Sequence, residues 1–134
     1  MGDGGVRVDD EDELYRRIPT WYLKKDNSIS SSAFKTPRGK PDPKISVDLA
    51  CLTTQQESVD RDNNGGFLLA SILAKWPRQH GLDVHHRPKP DNYAHCQIEG
   101  ENTNAICSQM ATHLKLIYGI ASAGTVGFEF PDPV

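Results

Sequence analysis

Eight side chains carry most of the chemistry this sequence can offer. His85, His95 and Glu99 are the candidate acid–base groups, and Arg16, Arg17, Lys35, Arg87 and Tyr93 are the candidate ligand-binding groups. An imidazole changes charge near neutral pH, so a histidine pair can move a proton, hold a metal or, when protonated, hold a phosphate. Guanidinium and ammonium groups attract phosphate oxygens, and aromatic faces stack on bases. The remaining motifs are negative. There is no nucleophile elbow G-x-S-x-G, no phosphate-binding glycine loop, no H-E-x-x-H and no calcium loop. Cys51, Cys96 and Cys107 have no C-x-x-C spacing, so no metal is expected and each thiol reads as a small buried hydrophobe.

The histidines lie in two alternating runs, Leu82–Arg87 and Tyr93–Glu99, joined by Pro88-Lys89-Pro90-Asp91-Asn92. Period-two alternation and a five-residue connection predict a β-hairpin. With Pro90 at the centre, His85 faces His95, Val84 faces Cys96 and Leu82 faces Ile98. One face then carries Asp83, His85, Arg87, Tyr93, His95, Gln97 and Glu99. His86 falls on the apolar face and reads as a buried, satisfied histidine.

The basic groups come from a polarised first third. Residues 1–13 hold six acids and one base, and residues 14–44 hold eight bases and two acids, inside a chain of formal charge −3. Residues 1–12 read as a flexible acidic tail that screens the basic segment, and 13–134 as one domain. Glu13–Ile18 predicts a strand, ended or edged by Pro19. Residues 24–44 predict a proline-rich loop whose serines make local hydrogen bonds, with no nucleophile among them. Ile45-Ser46-Val47-Asp48-Leu49-Ala50 predicts a second strand. Phe67–Trp76 predicts a buried helix ended or kinked by Pro77. Thr103 predicts the N-cap of a second helix running to Tyr118, and Phe128 and Phe130 a short terminal strand. The fold class is therefore α+β: a small, mostly antiparallel sheet with about two helices packed on one face.

No apolar run reaches membrane-spanning length, so no membrane partner is expected. The polar N-terminus reads as no secretory signal, and three cysteines, an odd number, suggest a reducing, cytoplasmic setting.

The segments Leu14-Tyr15-Arg16-Arg17-Ile18-Pro19, Ser31-Ser32-Ala33-Phe34-Lys35, Ile45-Ser46-Val47-Asp48-Leu49-Ala50 and Pro90-Asp91-Asn92-Tyr93-Ala94-His95 resemble a family of short uncharacterised bacterial proteins. That resemblance covers residues 13 to about 114, implies a bacterial origin, and singles out His95 and the loop before it. A fainter one is to ADP-ribosyltransferase-like domains, which often open on a Leu-Tyr-Arg strand, follow with a serine-rich strand and bind NAD in a split sheet. It implies roles for Arg16, Ser31 and Glu99, although the middle element and its spacing depart from that pattern.

Three functions follow as expectations. The first is an interaction or accessory protein with a protein partner in a bacterial system. The second is a phosphate-directed binder or enzyme for a nucleotide or nucleic acid, using His95 and His85. The third uses NAD. A concave pocket joining the histidines to Arg16, Arg17 or Lys35 would favour the second, and an open sheet face the first.

Overall fold

The computed structural model describes residues 6–26, 28–60 and 67–118. Their strands are β1 (Glu13–Pro19), β2 (Lys44–Leu49), β3 (Phe67–Leu73), β4 (Asp83–His86), β5 (His95–Glu99) and β6 (Lys115–Tyr118). The helices are α1 (Gln55–Asp60), α2 (Lys75–Gln79) and α3 (Asn104–His113). The strands form one sheet in the order β4-β5-β2-β1-β3-β6, and every neighbouring pair is antiparallel. This is the α+β class that the pattern of alternating runs predicts.

One face of the sheet is the main core. Leu14 and Ile18 of β1, Ile45 and Leu49 of β2, and Leu68 of β3 are almost fully buried there against Phe34 and Met110. These positions keep the period of two that a sheet with one buried face demands. α3 brings Cys107, Met110 and Ala111 to that core. Thr103 caps it, its hydroxyl accepting the Ile106 amide at 3.1 Å. On the opposite face a smaller cluster packs Val59 of α1 on Tyr15 and Leu69.

Two expected helices change. Phe67–Leu73 is a strand rather than a helix, paired along its whole length with β1. Leu68 and Ile72 face the main core, while Leu69 faces the second cluster. A strand buried on both sides reads as an unbroken apolar run, which periodicity alone does not separate from a buried helix. Pro77 does not end an element. It lies in the first turn of α2, where its missing N–H costs nothing. The last predicted helix stops at His113, and Lys115–Tyr118 leaves as edge strand β6, with Leu116 turned to the main core and Ile117 to the second cluster. The expected strand around Phe128 and Phe130 lies outside the described residues.

The acidic segment meets a different partner from the one expected. Over residues 6–12, Val8 is buried in the core and the Asp10 and Asp12 carbonyls accept the Lys75 and Ala74 amides. Asp10 pairs with Arg78 at 2.8 Å and Glu11 with Lys75 at 3.2 Å. Both cations belong to α2, not to the basic segment 14–44. No helix among the described residues is long and apolar enough to cross a membrane.

A gap opens in the middle of the sheet. β1 pairs with β3 at seven positions but with β2 only at Leu14↔Leu49 and Tyr15↔Asp48. Beyond Tyr15 the two strands part, and the serine-rich turn Ser31–Phe34 lies beside the opening. Ser30 starts that turn, its hydroxyl accepting the Ser32 amide at 3.1 Å. The turn is tied to α3, because the Phe34 carbonyl accepts the Cys107 thiol at 3.4 Å. Nearby, Asn102 donates to the Asp42 carbonyl at 3.0 Å.

Candidate functional site: the cleft between β1 and β2

Arg16 spans the gap. Its Nη1 donates to the Ser46 carbonyl at 2.6 Å, and its Nε and Nη2 donate to the Ala33 carbonyl at 3.2 and 2.7 Å. Where a complete sheet would have a ladder, one guanidinium supplies the bonds. Its carbon lies 5.8 Å from the Phe34 ring centre, a cation–π arrangement. Desolvation by the surrounding protein lowers its pKa to about 10, against the opposing charge of Asp42. The group is therefore cationic at neutral pH, and carbonyl oxygens, not a carboxylate, take its hydrogen bonds.

The gap opens into a cleft of about 250 Å³. Tyr15, Arg16 and Arg17 of β1, Tyr22, Ser32 and Lys35 of the following segment, Ser46 and Asp48 of β2, and His95 of β5 line it. Three cations face one carboxylate in this lining. Asp48 is buried and committed to structure. Its Oδ2 accepts the Ser58 hydroxyl at 2.6 Å and its Oδ1 accepts the Asn92 amide at 2.8 Å. The Arg17 guanidinium stands 3.6 Å from it and donates to the Ser58 carbonyl at 3.0 Å. Lys35 makes no ion pair among the described residues.

His95 is 5% exposed, at the cleft wall. Its Nδ1 lies 2.8 Å from the Arg87 carbonyl, and its Nε2 lies 3.2 Å from Ser46 Oγ. A carbonyl can only accept, so Nδ1 carries the proton. In the neutral ring Nε2 is then the acceptor, and the Ser46 hydroxyl donates to it.

The structure thus gathers His95, Arg16, Arg17 and Lys35 in one concavity and leaves His85, Arg87, Glu99 and Tyr93 outside it. The hairpin explains the separation. Its observed register pairs Val84 with Ile98, His85 with Gln97 and His86 with Cys96, two residues from the expected pairing. A shift of two keeps every side chain on its expected face but removes the His85–His95 opposition. The displacement originates in the connection. Asn92 is drawn onto Asp48, and the Ala94 carbonyl accepts the Leu49 amide, so β5 begins at His95 rather than Tyr93.

His85 sits on edge strand β4 beside Asp83, at 3.4 Å. Burial alone would raise the Asp83 carboxyl, but the Val84 amide and Arg78 guanidinium outweigh it and the pKa falls. Glu99 is clamped by Arg87 through two bonds of 2.9 and 3.1 Å, and that pairing lowers its pKa. Tyr93 is 53% exposed and borders a separate shallow groove with Asp91, Glu57 and Gln56. His86 is a satisfied core histidine: Nε2 donates to the Tyr93 carbonyl at 2.6 Å and Nδ1 accepts the Val6 amide at 2.7 Å.

Cys96 and Cys107 are buried, and desolvation raises both thiols, Cys96 to about 12, so neither is a thiolate at neutral pH. Cys51 is exposed, contrary to the expectation of burial. It follows β2 in the short turn Ala50–Leu52, where the apolar alternation has ended. Among the described residues no group of three or more His, Cys, Asp or Glu is placed to hold a metal.

Sequence reasoning missed Ser46, Asp48 and Ser32. Ser46 occupies an outward position of a cleanly alternating strand and reads as ordinary surface. The one available signal was Asp48, a carboxylate inside the apolar run Val47–Leu49. Comparison with protein families, curated proteins and solved structures finds no match to this chain.

Proposed function

We propose that the protein binds a phosphate-bearing ligand in the cleft between β1 and β2. The observation that carries this reading is the convergence of Arg16, Arg17 and Lys35 with His95 and the Ser32 and Ser46 hydroxyls on one concavity. Phosphate oxygens are acceptors only, and the guanidinium, ammonium and Ser32 hydroxyl groups of this lining are donors. Arg17 and Lys35 supply charge, and their surplus over Asp48 favours an anion. The volume of about 250 Å³ suits a phosphate group with a small substituent, and the aromatic side chains of Tyr15 and Tyr22 belong to the same lining.

The test is thermal denaturation of the full chain with inorganic phosphate, pyrophosphate, nucleoside monophosphates and NAD. A ligand at 100 times its Kd adds about 2.7 kcal/mol to stability, a readily measured rise in Tm. The expected result is a rise that shrinks at roughly 1 M salt, where the Debye length is about 3 Å. Lys35→Ala should lower affinity about tenfold, the equivalent of one charge-assisted bond of roughly 1.5 kcal/mol. No shift with any of these ligands, or an equal shift in Lys35→Ala, would return preference to an interaction protein in a bacterial, cytoplasmic setting.

A second reading is NAD use, as in the ADP-ribosyltransferase-like resemblance. The early parting of β1 and β2 favours it, because the cleft then lies in a split sheet with Arg16 on its first strand. Against it, Ser32 rather than Ser31 lines the cleft, and Glu99 is held by Arg87 elsewhere. The cleft is also small for a dinucleotide. A Tm response to NAD that exceeds the response to pyrophosphate would favour this second reading.

A further inference from the structure

We infer that Ser46 and His95 form a nucleophile–base pair that takes a phosphoryl group from a phosphate ester bound in the cleft. This deepens the phosphate-binding reading and rests on it. Three observations meet here. Ser46 is exposed and lines the cleft, where a ligand can reach it. The imidazole behind it is almost fully buried, with Nε2 at 3.2 Å from Oγ. The far nitrogen is fixed by the Arg87 carbonyl at 2.8 Å, which holds the ring in the tautomer whose free lone pair faces the serine. A nucleophile, a base within hydrogen-bond reach and a third group orienting the base are the arrangement that activates a hydroxyl.

The surroundings suit transfer to phosphorus. Arg17 and Lys35 share the cleft and offset charge on the equatorial oxygens of a phosphoryl group in flight. Arg16 holds the Ser46 backbone through its carbonyl at 2.6 Å, so the strand carrying the nucleophile is anchored at that residue. In the step itself, Ser46 Oγ forms a bond to phosphorus as its proton passes to His95 Nε2. The ester P–O bond breaks, its electron pair leaves on the alcohol oxygen, and the imidazolium returns the proton to that oxygen. The products are phosphorylated Ser46 and the free alcohol. Nothing is oxidised or reduced, and no further reagent is consumed.

The experiment uses a fluorophosphonate probe on the full chain, followed by intact mass and peptide mapping. Here fluoride is the leaving group and Ser46 Oγ the new bond to phosphorus. The expected result is one adduct, at Ser46, absent in Ser46→Ala and formed about 100-fold more slowly in His95→Gln, the scale of a general base. Because His95 is buried, the His95→Gln rate is read on protein with a cooperative melt. Ser46→Ala changes an exposed position and tests the site even if His95→Gln does not fold. No adduct at Ser46, or an equal rate in folded His95→Gln, overturns the pair. Orthophosphate binding is measured alongside by calorimetry. Binding without labelling removes the pair and leaves the phosphate reading standing, and labelling without binding overturns the assignment to phosphate esters.

Discussion

His85 and His95 lie on adjacent strands, on the same side of one sheet, and meet opposite fates. His95 is on β5, between β4 and β2, with the Asp48–Ser58–Asn92 network beside it and the cleft in front. His85 is on β4 at the sheet edge, with solvent on its open side and Asp83 for company. The residue type and face are the same, and only the number of neighbouring strands differs. An interior strand lets a histidine be buried, oriented and pointed at a hydroxyl. An edge strand leaves it in water, where its contact with Asp83 is screened and weak.

The sharpest break in that comparison is Asp48→Ala. It leaves the Ser58 hydroxyl and Asn92 amide without their buried acceptor and Arg17 without its countercharge. A loss of about 3–5 kcal/mol in urea unfolding is expected, the scale of breaking a buried pair from one side. A loss under about 1 kcal/mol would mean that the interior network is no better supported than the edge.

Glu99→Gln probes the edge. The Arg87 pairing depresses the Glu99 pKa below its ordinary 4.5, so the pair stabilises the fold above that pH. Its contribution disappears as pH falls through the folded-state pKa. The pair is partly open to solvent, so its worth should stay below about 1 kcal/mol. Wild type and Glu99→Gln should differ slightly at neutral pH and converge in stability as pH falls through the lowered folded-state pKa, and a constant difference would contradict the assignment.

The smallest effect belongs to His85→Ala, within about 0.5 kcal/mol and without change in phosphate affinity. A drop in affinity would reunite the two histidines and undo the division between edge and interior.

The same division governs how much could be read in advance. The alternation of Leu14-Arg16-Ile18 and Ile45-Val47-Leu49 marked β1 and β2, because each buries one face and leaves chemistry on the other. The two faces of the hairpin were legible for the same reason. Its register was not, because Asn92 is placed by Asp48, which is 44 residues distant in sequence. Phe67–Leu73 misled because apolar residues meet a core on both sides and leave no period to count. The basic segment was visible as charge, yet only the turn Ser31–Phe34 and the gap in the sheet brought Lys35 into one cleft with His95. Arg16 was singled out as a ligand-binding group. Its three bonds to carbonyls need two chain segments, 17 and 30 residues away, which no local pattern announces.

That guanidinium has a mechanical consequence. The sheet is two leaves of three strands, β6-β3-β1 and β2-β5-β4, joined by two residue pairs, by the Arg16 bond to the Ser46 carbonyl and by the Arg17–Asp48 pair. Two arginine side chains therefore bridge the opening between the leaves. Spreading them means breaking both bridges, whereas Ser46 and His95 lie on neighbouring strands of one leaf, so their spacing does not depend on the width of the opening.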